Sequence, residues 1–267
     1  MNNIQKNILN ELRKESQKLG YSPRRREIPN LAHQCYRHFN SFNEAKKKAG
    51  LELTHHRVVD FPKKAFKLDK DLAILIAYLT ADGHLYKDLK GFHFYSNDLK
   101  MLKELEKIIN NKFGLKGIYG EGNGYGTCFR YKVFNKIVTL FLRDTGVPAG
   151  DKMLISFDVP KWIKENKEFS KEYLKIIFYC EGSKYKQSKN TEAIRINFNK
   201  SEKLLDDCVH FMNSLKEMLK TFKIETTNIW IMEGNLRKRD GERTKMVAFK
   251  IKSVDINKFI NKIGWLK

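Results

Sequence analysis

Residues 76–88 read IAYLTADGHLYKD, an odd way to end a helix. A nearly unbroken apolar run from Leu72 to Ala81 stops at an acid, a glycine and a histidine. A helix C-terminus already carries the negative end of the macrodipole, so a carboxylate there is mismatched by roughly 0.3–1 kcal/mol. The pattern returns about a hundred residues later. Residues 170–182, SKEYLKIIFYCEG, are again an apolar helix ending in acid and glycine. Asp82-Gly83 and Glu181-Gly182 therefore occupy matching places, and both glycines are expected in the left-handed conformation that closes a helix.

The text around each pair repeats as well. After Gly83, HLYKD and GFHFYS have strand character, NDLKMLKELEKIINNKFG is an amphipathic helix, KGIYG and TCFRYKVF are strands, and NKIVTLFLRDTG is a closing helix. After Gly182 the order recurs as SKYKQS, EAIRINFN, the helix KSEKLLDDCVHFMNSLKEMLKTF, TNIWIME, MVAFKIKS and the helix VDINKFINKIG. Lys132 precedes Gly146, and Lys250 precedes Gly264, by the same fourteen positions. Such a repeat predicts a pseudo-symmetric α+β domain whose two halves each run helix, two strands, helix, two strands, helix. If the two apolar helices pack about the pseudo-twofold, two carboxylates and two negative helix ends converge. Only a cation between them relieves the repulsion. A hard divalent ion, Mg²⁺ above all or Mn²⁺, suits oxygen ligands, and beside a basic surface it points to phosphodiester hydrolysis.

The surface is basic. The 267 residues carry 52 Lys+Arg against 31 Asp+Glu, a formal net charge of +21, which favours a polyanion partner. No apolar run approaches the ~18 residues needed to span a membrane. No export signal precedes the charged first helix, so a cytoplasmic location beside the genome is expected, without membrane association. Cys35, Cys128, Cys180 and Cys208 are scattered with no C-x-x-C pair, which predicts reduced thiols.

Residues 1–60 read as a helical module and linker. Ile4, Ile8, Leu9 and Leu12 keep a helical period up to Gly20. Arg24, Arg25 and Arg26 fall in the expected first turn of a second helix, and Ser41 with Glu44 forms a capping box for a third. Basic short helices of this kind suit DNA. The order LGYSP…CYRHFNSFNEAKKKAGL resembles the short repeat associated with homing endonucleases over about residues 4–52. The linker THHRVVDFPKKAFKLDK holds His55 and His56, read as solvated linker residues. Residues 61–150 then form the first repeat, and 151–267 an inter-repeat linker and the second.

The signature segments Leu75–Gly83 and Leu174–Gly182 resemble the LAGLIDADG homing endonucleases over about residues 68–267. The resemblance implies a monomer with internal pseudo-twofold symmetry, two αββαββα halves whose saddle-shaped antiparallel sheets sit in the major groove of double-stranded DNA. It implies that Asp82 and Glu181 hold divalent metal and that each serves the cutting of one strand, leaving 3′ overhangs. By position, Lys132 and Lys250 are the lysines expected near the scissile phosphates. Polar residues alternating along the strands are the candidate DNA contacts: Arg195, Asn197, Lys184 and Lys186 in the second half, and Lys87, His93, Tyr95 and Arg130 in the first. Arg237, Lys238, Arg239 and Arg243 mark a hairpin tip expected to reach flanking phosphates. The chain departs from the family signature at Ala77 and Ile176, where helix-packing glycine is usual, and at Thr80 and Tyr179. A site-specific endonuclease, free-standing rather than part of an intein, is the first reading. A non-cutting DNA-binding regulator or an intron RNA maturase on the same scaffold is the alternative.

Overall fold

The computed structural model describes residues 1–53, 61–122, 128–188 and 191–266; His55 and His56 lie outside the described residues. The chain divides into two compact units, Met1–Val59 and Asp60–Lys267.

The first unit holds three helices, α1 (Asn3–Leu19), α2 (Pro29–Phe39) and α3 (Phe42–Lys48). Ile8, Leu9, Leu12, Leu31, Ala32, Cys35, Phe39 and Phe42 form its core. Gly20 ends α1 at φ 74°, a conformation that glycine adopts without strain. The capping box falls on α1, where Asn2 and Gln5 bond reciprocally. At α3 Ser41 accepts the Glu44 N–H at 3.0 Å. The three arginines are not helical: α2 starts at Pro29, because proline fixes φ for the first helical position and has no N–H to satisfy there. Arg24–Arg26 lie in the turn before it.

In the second unit the first half runs α4 (Lys70–Thr80), β1 (Gly83–Leu85), β2 (Gly91–Ser96), α5 (Leu99–Phe113), β3 (Ile118–Glu121), β4 (Phe129–Phe134) and α6 (Lys136–Asp144). After a short α7 (Lys161–Lys164), the second half runs α8 (Lys167–Glu181), β5 (Gly182–Ser188), β6 (Thr191–Ser201), α9 (Leu205–Thr221), β7 (Trp230–Leu236), β8 (Arg243–Lys250) and α10 (Ile256–Lys262). Strand β6 runs further than expected. It takes Lys200 and Ser201 from the predicted start of the long helix.

The two sheets have one topology, β1-β2-β4-β3 and β5-β6-β8-β7, all antiparallel. Register makes the equivalence residue by residue. Gly83 pairs with Phe94 and Gly182 with Ile196; Phe94 pairs with Tyr131 and Ile196 with Phe249. Lys132 and Lys250 follow Tyr131 and Phe249, so they occupy the same place in the two halves. Residues directly opposite one another project to one face. Phe92, Phe94, Tyr131 and Val133 in one sheet, and Ile194, Ile196, Val247 and Phe249 in the other, are buried with the helices.

Helices α4 and α8 pack against each other. Leu72, Leu75, Ile76 and Leu79 are fully buried, as are Ala73 and Ala77, so α4 is apolar on nearly every side. Ile176 is buried in the same core, Tyr78 meets Tyr179 edge-on at 6.4 Å, and Lys70 pairs with Glu172 at 3.3 Å. The departures at Ala77 and Ile176 are accommodated by the pair. Asp69 caps α4 by accepting the Leu72 N–H at 2.9 Å, and it also holds the buried Lys112 ammonium at 2.7 Å.

The glycines after the two acids correct the sequence-based expectation. Gly182 sits at φ −81°, ψ 151°, and Gly83 opens β1; neither has positive φ. Their need for glycine is one of space. A Cβ on Gly182 would stand 2.3 Å from the Phe178 carbonyl oxygen, and one on Gly83 would stand 2.8 Å from Leu79 Cα. The chain turns from helix into strand across its own last turn, and only hydrogen fits. Gly182→Ala is therefore expected to lower stability by about 1–3 kcal/mol. Gly120→Ala, whose Cβ would meet nothing closer than Arg130 at 3.7 Å, should stay within about 0.5 kcal/mol. Urea denaturation of both variants decides it.

Candidate functional site

The two acids stand where α4 and α8 end. Asp82 is exposed in the turn leaving α4, and half-buried Glu181 is the last residue of α8. They share a neighbour that sequence reasoning missed: Lys152, in the segment joining the halves. Its ammonium donates to the carbonyl oxygens of Leu79 at 3.3 Å, of Gly83 at 2.8 Å and of Ala81. Those of Leu79 and Ala81 stand at the C-terminal end of α4, where a helix leaves carbonyls without partners, and that of Gly83 opens β1. Burial lowers the Lys152 pKa to about 8, while the Glu181 and Asp82 carboxylates pull it back up. The cation demanded by the converging negative groups is thus already present as a side chain. The Cys180 thiol donates to the Asp82 carboxylate, linking the two halves. Burial and that carboxylate push the thiol's pKa well up, so it stays protonated.

Lys152 belongs to a strap, residues 149–153. Ala149 bridges to Leu85 of β1, and the Gly150 N–H donates to the Leu85 carbonyl at 2.8 Å. Asp151 holds Arg237 at 2.7 Å and also Arg239, both from the β7–β8 hairpin. The Lys152 carbonyl accepts from Lys200 Nζ at 2.6 Å, and the Met153 carbonyl from the Ser201 N–H at 3.0 Å. Thr80, Ala81, Lys152, Met153, Glu181 and Asn199 line a small pocket of about 180 Å³ at this point.

The arrangement fits a divalent ion in one way only. Among the described residues no group of three His, Cys, Asp or Glu could hold a metal. Asp82 and Glu181 supply two carboxylates. Mg²⁺ is commonly bound by one or two carboxylates together with substrate phosphates and waters. The donor set therefore suits an ion shared with a phosphodiester, and these two acids would be its protein ligands.

The sheet faces away from the helices border this centre. Cross-strand pairs put His84, His93, Tyr95, Arg130 and Lys132 on that face of the first sheet. Ser183, Arg195, Asn197 and Lys250 share it in the second. The Lys152 charge reaches both His84 and His93, and Asn199 shares the pocket with Glu181. Polar atoms on these faces are buried without hydrogen-bond partners: His93 Nδ1, Arg130 Nε, Ser183 Oγ and Arg195 Nε. Unpaired buried polar groups are costly, and a polar ligand laid on the faces would satisfy them. Lys250 bonds Gln187 at 3.3 Å and lies over the rings of Tyr185 and Trp230.

Other candidates are placed differently. Lys184 pairs with Ile194, and Lys186 with Glu192, so both lie on the face opposite to Arg195 and Asn197. Lys184 is bound to Glu192 at 2.9 Å. Their alternation has the right period and the wrong phase. Arg237 and Arg239 both pair with Asp151; Arg239, Lys238 and Arg243 are the exposed cations described near this tip, Arg237 being half-buried. Lys87 is exposed in the β1–β2 turn. In the first unit Arg24, Arg25 and Arg26 line a pocket of about 510 Å³ with Pro29 and His33.

Parts of this chain are similar to known proteins. Residues 5–52 match the homing endonuclease associated repeat. The homing endonuclease I-WcaI, solved bound to its DNA recognition sequence, superposes with a TM-score of 0.50 at 12% identity, covering 82% of this chain and 91% of that one. I-DmoI in complex with DNA and Mn is similar at a TM-score of 0.46 and 15% identity, covering 73% of this chain and 96% of that one. Among curated relatives from Methanocaldococcus jannaschii, replication factor C small subunit is 29% identical over 171 residues, 58% of this chain and 9% of the relative. The RNA polymerase subunit Rpo1N is 32% identical over 183 residues, 67% of this chain and 13% of the relative. The chain thus spans about a tenth of the length of these relatives. The architecture is the LAGLIDADG fold of homing endonucleases. Residues 5–52 thus carry a homing endonuclease associated repeat, and the rest of the chain shares its fold with LAGLIDADG homing endonucleases.

Replacing Lys152 by methionine would leave carbonyls of α4 without a partner and the two acids without their compensating charge. We expect Lys152→Met to cost about 1.5–3 kcal/mol, the range for hydrogen bonds to a charged group. Adding Asp82→Asn to that variant should recover part of the loss, since it removes one of the two negative charges; a double-mutant cycle in urea measures it.

Proposed function

We propose that this chain is a sequence-specific endonuclease of double-stranded DNA that uses divalent metal and acts as a monomer, each half supplying one acid. The observation that carries the reading is the matched pair, Asp82 and Glu181, brought to one cation at the junction of two equivalent helices. A carboxylate pair beside a polyanion only weakens binding unless it has chemical work. A bound divalent ion would supply a hydroxide-like water and a charge for the departing oxygen.

The chain's own residues do the rest. Asp82 and Glu181 hold the site to the two strands. Lys152 fixes the Ala81–Gly83 turn so that the Asp82 carboxylate keeps its place. Lys132 and Lys250, at matching register positions, stand ready to offset charge developing on each phosphate. The uncovered sheet faces position the duplex through base edges and phosphates. Cutting both strands with a 3′ stagger and mobility of the coding element belong to this reading, as does action where the genome lies. That 171 residues are similar to part of replication factor C small subunit, and 183 to part of RNA polymerase subunit Rpo1N, supports a module indifferent to its surroundings.

A randomised duplex library, bound in Ca²⁺ and switched to Mg²⁺, tests it: one enriched long motif cut at a fixed stagger is expected. Asp82→Asn and Glu181→Gln should each abolish double-strand cleavage of that motif while leaving its affinity equal or higher. Full cleavage by either variant would refute the assignment. Changing Arg24, Arg25 and Arg26 together to alanine should make affinity less salt-dependent, by about 0.9 in the slope of log K against log[salt] for each phosphate no longer neutralised. Filter binding at several salt concentrations reads that slope.

A further inference from the structure

The two uncovered sheet faces are equivalent in register and unlike in chemistry. His93 and Arg195 occupy the same position, each immediately before the residue paired with the glycine of an acid-glycine pair. Two residues on, Tyr95 matches Asn197. One half thus presents rings where the other presents hydrogen-bonding forks.

In the first half the rings form a connected group. His84 stacks near His93 at 5.1 Å, His93 meets Tyr86 at 5.2 Å and Tyr95 at 4.7 Å, and Tyr86 meets the exposed Phe134 at 6.0 Å. Burial, with His84 and the nearby cations Arg130, Lys132 and Lys152, lowers the His93 pKa to about 4, so its ring is neutral at neutral pH. Ile118, opposite Lys132 on the same face, is 63% exposed. Arg130, beside Tyr95, is the guanidinium set among these rings in the described residues, its Nε buried without a partner as that of Arg195 is. In the second half Arg195 is steadied over the Tyr185 ring at 5.8 Å with its Nε unpartnered, and Asn197 follows on the same strand. A guanidinium fork matches guanine O6 and N7, and an amide matches adenine N6 and N7. An apolar ring surface in the major groove has one distinctive partner, the C5-methyl of thymine.

Resting on the DNA reading above, we propose that the target is chemically asymmetric. The half-site under the second sheet is specified by purine edges hydrogen-bonded to Arg195 and Asn197. The half-site under the first sheet is specified by thymine methyls packed on Tyr86, His93, Tyr95 and Phe134. The two halves of one protein discriminate bases by different forces, and a palindrome is a poor substrate.

The test begins with the duplex selected by the intact chain in Ca²⁺. Selection with Arg195→Ala identifies the half-site of the second sheet, because base preference should relax there alone, by about 5–150-fold at the affected position. Thymines are then replaced by uracil in one half-site at a time, which removes only the methyl. Affinity should fall about fourfold per buried methyl in the first half-site, and stay unchanged in the second. Tyr95→Ala should abolish part of the uracil effect while leaving the second half-site's preference intact. Equal uracil sensitivity in both halves, or none in either, would overturn the asymmetry while leaving the endonuclease reading standing. Selection that enriches no duplex at all would refute the parent reading and this inference with it.

Discussion

Everything near the functional centre is arranged around one electrostatic constraint: two helix C-termini and two carboxylates are brought together at the junction of the halves. Left alone, that meeting opposes the packing of α4 on α8 that forms the core. The Lys152 ammonium resolves it in two ways. It takes the geometric role of a helix cap, donating to carbonyls at the end of α4, and it places positive charge beside Asp82 and Glu181. The half-buried thiol of Cys180, donating to Asp82, adds a neutral contact across the same seam. Such a centre is preorganised yet retains exposed carboxylate oxygen at Asp82.

The fold was largely legible in the text because its determinants are local and repeated. Apolar helices ending in acid-glycine, strands of period two and matching fourteen-residue intervals each predict an element, and their recurrence predicts the symmetry. The matching places of Asp82 and Glu181 at the ends of α4 and α8 are legible for the same reason. Where reading failed, the cause was information that is not local. Nothing in GDKM marks Lys152, since a lysine in a linker looks like any solvated lysine until the chain folds back over α4. Period two gives alternation and not which alternate faces the helices, so it leaves the phase of β5 open. Only pairing with the buried Ile194 settles that Lys184 lies on the other side. The acid-following glycines were assigned a left-handed backbone, but their necessity lies in the 2.3 and 2.8 Å distances a Cβ would meet.

The symmetry of the backbone and the asymmetry of the side chains separate two kinds of constraint. Residues pointing to the helices are interchangeable in kind between halves: Phe94 and Ile196, Tyr131 and Phe249 are buried at equivalent register positions. Residues pointing away are not, as His93 against Arg195 and Tyr95 against Asn197 make plain. Packing needs only apolar bulk of about the right size. A surface that recognises sequence is free to differ wherever its two targets differ.

The strap also sets limits on recombination. Its side chains and backbone alternate allegiance: Ala149, Gly150 and the Lys152 side chain belong to the first half, while Asp151 and the carbonyls of Lys152 and Met153 belong to the second. A hybrid assembled from halves of two such proteins cannot be joined cleanly anywhere in residues 149–153. Any crossover there severs either the anchor of the α4 end or the anchor of the β7–β8 hairpin. Exchange of one half therefore has to carry the strap's partners from both, so the five residues that look like spacer are the least transferable part of the chain.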